Sequence, residues 1–393
     1  MNFEITNTRL LESSDKSDIK PYLLLILSII FIPAAYMFVA AVFIIQLING
    51  NLKAKKNKLS LLIYAYISIG LITSEYKLVS AFFALLMILC YYSFEIFSSM
   101  DIENIKKLKK LAFAVSIIVF TIGLIQYFNP EFAIPSKWVD INEYNLDKRI
   151  YSTFFNPNVF GFFINLSLLL ACEELSIKKR NLELSVFALG TICLILTFSR
   201  SSWVSLIISL IVASLFNKRY LKYAIIISIA ILSFDIFLDV GRVNPAKAAT
   251  DSSFLYRFEV WNTCIEIIKD NPLSGIGFGT LFKYVANYSS VVSTKIEHSH
   301  NIYIQIFTET GILGFSIFLT VIFNILKIFR SDLYKKNNKQ WITAFAIFIM
   351  TLVHGMVDSV PLTPQIMMVL SMYTGTMRAM KSEQWTLKNE QWR

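Results

Sequence analysis

Apolar runs of membrane-helix length follow one another along almost the whole chain, and any fold must accommodate them. They cover 21–34 and 35–48, with a bend at Pro33, then 59–73, 78–97, 108–128, 157–175, 182–198, 200–216, 221–238, 302–329, 341–357 and 363–380. A bilayer core takes roughly 20 apolar residues of helix. The runs predict an all-α polytopic membrane protein of about twelve transmembrane helices within 21–380, with cytoplasmic tails at 1–20 and 381–393. Charge content agrees: only 16% of the 393 residues are Asp, Glu, Lys or Arg, against about a quarter in soluble domains.

Lysine and arginine concentrate on the cytoplasmic side of membrane proteins, and this orients the runs. With the N-terminus inside, 26 of the 37 basic residues fall on inner segments, in clusters at 53–58, 106–110, 178–180, 218–222 and 327–339. Counting 21–48 as one helix moves only the N-terminal tail. The net charge of +10 therefore sets topology, and without basic–aromatic interleaving no nucleic-acid partner is expected. The inner segments are too short for a nucleotide-binding domain. Cys90, Cys172, Cys193 and Cys264 have neither metal nor disulfide spacing and read as structural.

Two longer segments then lie outside, 129–156 and 239–300. All three histidines are also outside: His298 and His300 close the long loop, and His354 stands at the outer end of a later run, with Asp358 one turn beyond. Arg200, in LTFSRSSW (196–203), separates two runs at the membrane surface. A guanidinium at that depth needs a partner or a ligand. Within the long loop, 252–272 predicts an amphipathic helix with a stripe of Phe254, Phe258, Trp261, Ile265 and Ile268. Asp251 to Ser253 cap it and Asn271-Pro272 ends it. Arg257 lies at the edge of that stripe, facing the membrane-side groove. The glycines of GIGFG (275–279) read as turn residues, not as a dinucleotide fingerprint, because they follow a helix stop. His298 and His300, two apart in an extended segment, share a face. With His354 and Asp358 they offer a zinc-type donor set. Alternatively one histidine carries a proton, as its ordinary pKa suits.

The segment HNIYIQIFTETGILG (300–314), with His300, Asn301, Gly311 and Gly314, resembles the signature of the O-antigen ligase and O-antigen polymerase family of membrane glycosyltransferases. STFFNPNVFGFFINLSLLL (152–170), with Asn156 and Asn158, is similar to that family's asparagine-proline-asparagine segment. LTFSRSSW resembles its serine-arginine turn, and 257–279 its arginine-tryptophan helix and the glycine-rich stretch after it. The resemblance covers about 150–360, outer loop included. It implies the fold of the integral-membrane C-type glycosyltransferases and glycan transfer outside the cytoplasm of a bacterium. The implied donor is a glycan on undecaprenyl pyrophosphate. The acceptor is lipid A–core for a ligase, or a lipid-linked glycan for a polymerase. Neither a metal nor another cofactor is implied.

Chemistry places these residues in roles. The diphosphate leaving group needs its charge stabilised, and Arg200 and Arg257 are the candidates, since guanidinium binds phosphate oxygens and stays charged. His300 is the candidate base for the acceptor hydroxyl. Asn301, His298, Asn156, Asn158, His354 and Asp358 are candidates for binding substrate in the outer groove. Gly311 and Gly314 are expected to allow close helix packing. The competing reading is a twelve-span transporter of a lipid-linked or polar substrate; such proteins bind near the midplane and often show repeated halves, and neither pattern is evident here.

Overall fold

A computed structural model describes residues 20–49, 57–129, 146, 148–175, 181–237, 239–244, 251–296, 298–333 and 339–390. The tails at 1–19 and 391–393, most of the outer segment 129–156, and Lys53, Lys55, Lys56, Lys178, Lys179, Arg180, Lys335 and Lys336 lie outside the described residues. The described residues form helices and contain no strand.

The helices are α1 (Lys20–Leu27), α2 (Ile32–Ile48), α3 (Lys58–Ile72), α4 (Lys77–Ser98), α5 (Ile102–Phe128), α6 (Pro157–Leu175), α7 (Asn181–Leu196), α8 (Arg200–Ser214) and α9 (Arg219–Phe237). They continue as α10 (Ser252–Asp270), α11 (Leu281–Tyr288), α12 (Ile302–Asp332), α13 (Lys339–Gly355) and α14 (Pro364–Glu390). Six segments are long and apolar enough to cross a membrane: Tyr22–Ile48, α4, α5, α6, α9 and α12 up to Arg330. Helices α3, α7 and α8 are shorter and apolar. The chain is thus a multi-pass helical membrane protein.

The first two apolar runs join in one segment, interrupted by a 3-10 turn at Ser28–Phe31. Pro33 lies just past that turn, in the first turn of α2. A missing N–H costs nothing there. Helix α14 runs on to Glu390, into the segment expected as a tail.

Helix α6 is the hub: 78% of its apolar window is buried, against 11–44% for the other five spanning segments. It packs on α7, α8 and α13, while α8 packs on α9 and α13, and α4 packs on α14. Apolar side chains such as Leu78, Leu215 and Phe237 point outward and stay exposed, as lipid-facing positions require. All four cysteines are buried free thiols.

The described residues of the long segment 239–300 include a small folded unit. Val260, Cys264 and Ile267 of α10 meet Ile276, Leu281, Val285, Val292 and Ile296 in a small core of their own. This corrects the expected stripe. Helix α10 starts at the Asp251 cap and stops at Asn271 as predicted, but its buried face is Val260, Thr263, Cys264 and Ile267. Phe258 and Ile265 stay exposed. The aromatic ladder Phe254–Phe258–Trp261, with edge contacts of 4.9 and 5.1 Å, lies beside that core face. The partner of α10 is the outer unit and α12, so its packing face turned away from the aromatics.

One joint fixes this unit to the membrane helices. Helix α12 is interrupted at Gly311, with φ 59 and ψ −165. The 272–277 backbone fills the break. Ile276 N and Gly277 N donate to Thr308 O and Glu309 O at 3.0 and 2.9 Å, and Ile312 N and Leu313 N donate to Pro272 O and Leu273 O at 2.9 and 3.1 Å. Gly275, Gly277 and Gly279 all take positive φ to follow this path. Gly311 is therefore a helix break, not the helix-packing glycine expected from its spacing. Its φ/ψ pair is open essentially to glycine alone, and a Cβ would run into the Leu273 and Ser274 backbone. Gly311→Ala should destabilise the protein by about 2–4 kcal/mol, read as a fall in thermal midpoint of the detergent-purified protein.

Candidate functional site

The chain between α11 and α12 brings His298 and His300 to one point. Ser299, between them, is tied at every polar atom. Its N–H donates to Gln305 Oε1 at 2.6 Å, its carbonyl accepts from Trp261 Nε1 at 2.9 Å, and its hydroxyl donates to Asn301 O at 2.8 Å. Gln305 in turn donates to the buried Glu309 at 2.6 Å, which also accepts Gly279 N–H at 2.8 Å. Asn301 caps α12, its Oδ1 accepting from Tyr303 N and Ile304 N, and its Nδ2 donates to Met356 O. His300 sits in the left-handed region at φ 56, an uncommon conformation for a non-glycine residue. Asn301 is thus a structural cap that also pins the segment after α13.

The two imidazoles flank Asp358. His300 Nδ1 lies 3.4 Å and His298 Nε2 3.6 Å from Asp358 Oδ1, and the ring centroids are 4.5 Å apart. The His300 contact is within ion-pair range but not aligned as a hydrogen bond. Asp358 is 2% exposed. Burial alone would push its carboxyl up; the two histidines overcome this and hold it well below the usual carboxylate range. Burial pulls His300 below its ordinary value, against the raising influence of Asp358, with His298 and Arg257 adding to the depression. With Nδ1 turned to Asp358, Nε2 is left as the basic nitrogen.

Beside this pair four arginines converge: Arg149, Arg200, Arg242 and Arg257. Arg200 donates to Asp251 Oδ2 at 2.7 Å, and Arg242 approaches the same oxygen at 3.7 Å. Asp251 is fully buried, and its Oδ1 caps α10 through Phe254 N at 2.8 Å. One carboxylate thus orients two guanidiniums and the helix that carries a third. Arg257 lies three, seven and ten residues before Val260, Cys264 and Ile267, so it continues the buried face of α10 into the site. Its Nε is buried without a hydrogen-bond partner.

Arg149 donates from Nε to Thr197 O at 2.8 Å and from a terminal nitrogen to Asn158 Oδ1 at 3.1 Å. Burial, and then the charges of Arg242, Arg257 and Arg200, pull its pKa down to about 9 despite Asp358. It remains charged at neutral pH, and the depression marks a locally positive potential. Sequence reasoning missed Arg149 and Arg242. A signal existed: among the ten arginines of the chain, the four that the charge distribution assigns to the outer face are these four.

The other candidates have defined places. Asn156 Oδ1 accepts from Asn158 N and Val159 N at the start of α6, which is a capping role. Asn158 Nδ2 donates to Asp358 Oδ2 at 2.7 Å. His354 lies beneath Asp358, fully buried, with Nδ1 3.3 Å from Ser205 Oγ and the ring edge-on to Phe162.

His298, His300 and Asp358 present ligand atoms within 4.8 Å of one another, a set that could hold a divalent ion. The surroundings disfavour one: the guanidinium cluster already makes this region positive, and the second Asp358 oxygen is engaged by Asn158. Arg149 feels the charges of Arg242, Arg257 and Arg200, and an anion placed among them would be attracted. Asp251→Ala should cost about 3 kcal/mol, since it removes a buried ion partner of Arg200 and Arg242 and a helix cap. Asp251→Asn, which can keep the cap, should cost less; thermal unfolding in detergent distinguishes the two.

No curated protein matches the chain. Residues 185–319 match the family model described as O-antigen ligase. That span holds Arg200, Arg242, Asp251, Arg257, His298, His300 and the Gly311 break; Arg149, Asn158, His354 and Asp358 lie beyond its ends. Residues 185–319 are thus similar to the O-antigen ligase family, and that likeness supports a role in glycan transfer for surface polysaccharide.

Proposed function

We propose that this protein transfers a glycan from undecaprenyl pyrophosphate to an acceptor hydroxyl at the outer face of a bacterial cytoplasmic membrane, as an O-antigen ligase or a polymerase of surface polysaccharide. The observation that carries the reading is the convergence of four guanidiniums on a His300–Asp358 pair. The outer-face assignment rests on the lysine and arginine distribution, and is the same whether Tyr22–Ile48 crosses once or twice. The resemblance to the O-antigen ligase and polymerase family implies the arrangement of the integral-membrane C-type glycosyltransferases for these spans.

Arg200 and Arg257 hold the diphosphate, whose negative charge offsets the surplus of the cluster. The acceptor oxygen attacks the anomeric carbon, and its proton passes to His300 Nε2. The bond from that carbon to the diphosphate oxygen breaks, and the electron pair leaves with the diphosphate. Attack opposite the leaving group inverts the sugar carbon. Asp358 steadies the imidazolium formed, as a carboxylate does for a catalytic histidine. His298 shares that carboxylate and lines the groove.

His300→Ala, expressed at normal level in the native host, should abolish transfer. Gel separation of surface and lipid-linked glycans then names the branch. Long chains stranded on the carrier indicate a ligase, and single repeats in place of long chains a polymerase. An unchanged pattern sinks the base assignment and favours the transporter.

The pH dependence follows from His300. A base works when neutral, so activity is lost as pH falls through its folded pKa. Because that pKa lies below the ordinary 6.5, the acid limb of kcat/KM should have its midpoint below 6.5. Asp358→Asn removes an influence that raises it and should move the limb further down. A limb above the ordinary value would contradict the assignment.

A further inference from the structure

We infer that Asn158 is a positioning residue that ties the Arg149 guanidinium to the Asp358–His300 pair, so that occupancy of the anion site and alignment of the base are set together. This rests on the glycan-transfer reading above and adds to it a link between the two halves of the reaction.

The geometry is specific to an amide. Asn158 Oδ1 accepts from Arg149 at 3.1 Å while Nδ2 donates to Asp358 Oδ2 at 2.7 Å. An amide oxygen and nitrogen are otherwise interchangeable by a flip. Here a cation on one side and a carboxylate on the other admit only one orientation, since guanidinium only donates and carboxylate only accepts. The bridge is also held at both ends. Asn158 is the second residue of α6, and Asn156 Oδ1 receives its N–H at 2.8 Å. Arg149 Nε is fixed on Thr197 O at 2.8 Å, and the next residue, Ile150, donates to Leu196 O. Both anchors belong to the end of α7, directly before Arg200.

The neutrality of the amide is what the link needs. A carboxylate in its place would cancel the charge of Arg149 and repel Asp358. A small apolar residue would leave Asp358 without the donor that fixes its second oxygen. With an amide, Arg149 keeps its charge for the diphosphate, and Asp358 keeps its charge for His300. Movement of Arg149 toward a bound diphosphate is passed to Asp358 through a planar, two-ended group.

The test uses the full-length protein in detergent, with inorganic pyrophosphate as the binding probe and lipid-linked glycan extracted from the host for transfer. Asn158→Asp should weaken pyrophosphate binding by about 10-fold, because it adds an anion beside Arg149. Asn158→Ala should leave pyrophosphate affinity within about 3-fold of wild type and lower kcat by about 10-fold at unchanged donor KM, the loss expected of a charge-assisted hydrogen bond. Thermal midpoints show that each variant folds. Should Asn158→Asp not fold, Arg149→Lys replaces it: charge is kept, the bond to Asn158 is lost, and the same fall in kcat with near-normal pyrophosphate binding is expected. The inference is overturned if Asn158→Asp binds pyrophosphate as wild type does, or if Asn158→Ala leaves kcat unchanged. In either case pyrophosphate binding that is lost in Arg257→Gln would leave the glycan-transfer reading standing. A wild-type protein that fails to bind pyrophosphate overturns both.

Discussion

At Gly311 a 31-residue helix gives up part of its own hydrogen-bond ladder, and the 272–277 backbone takes the vacated places. In a membrane helix, unsatisfied backbone groups are expensive, so irregular backbone survives only where protein supplies partners. Four N–H to carbonyl bonds do so here. The joint has consequences in both directions along the chain. Upstream it fixes the glycine-rich turn, and through it α10 with Arg257. On α12 itself it places Glu309 two residues before the break, where Glu309 accepts Gly279 N–H and steadies Gln305. Gln305 holds Ser299, and Ser299 separates the two histidines. A break in one helix thereby sets the positions of an arginine and a histidine that belong to different elements.

The charges around that frame are arranged asymmetrically. Asp251 spends its two oxygens on orienting Arg200, Arg242 and the start of α10. Asp358 serves the histidines and Asn158. Burial first, and then the charges of Arg242, Arg257 and Arg200, pull the Arg149 pKa down to about 9. Buried charges without full compensation destabilise a fold. The proposed diphosphate would bring such compensation. Arg257, whose Nε is buried and unpartnered, is the clearest instance.

Much of this was legible because it is local. Apolar run length gives the helices, Asp251 and Asn271 give the ends of α10, and a charge stranded beside an apolar run singles out Arg200. Helix spacing and the side of the membrane put Arg257 and His300 on one expected face. The rest depends on tertiary neighbours. Arg149 and Arg242 are single charges in polar segments, and nothing within ten residues of either tells a solvated arginine from a converging one. The face of α10 was misread because aromatic residues suit an interface as well as a core. Its partner turned out to be the outer unit, which selected Val260, Cys264 and Ile267. Gly311 sits in an apolar run where a glycine can serve close packing or a break, and only the inserted loop decides.

The backbone conformations connect stability to function. Among the described residues, five non-glycine residues take positive φ: Ser152, Phe155, Phe198, Asp239 and His300. Each costs of order 1 kcal/mol, and each adjoins a site group. Ser152 and Phe155 lie between Arg149 and Asn158, Phe198 precedes Arg200, Asp239 precedes Arg242, and His300 is itself the candidate base. The strain is held from outside the site. Gln126 receives Ser152 N–H while Ser152 Oγ donates to Val119 O, and Asp235 receives the N–H groups of Arg242 and Val243. Left-handed residues stand two positions before Arg200 and three before Arg242. The heavily buried α6 and its neighbours support such turns. The helical core is thus the support against which a small site is held under strain.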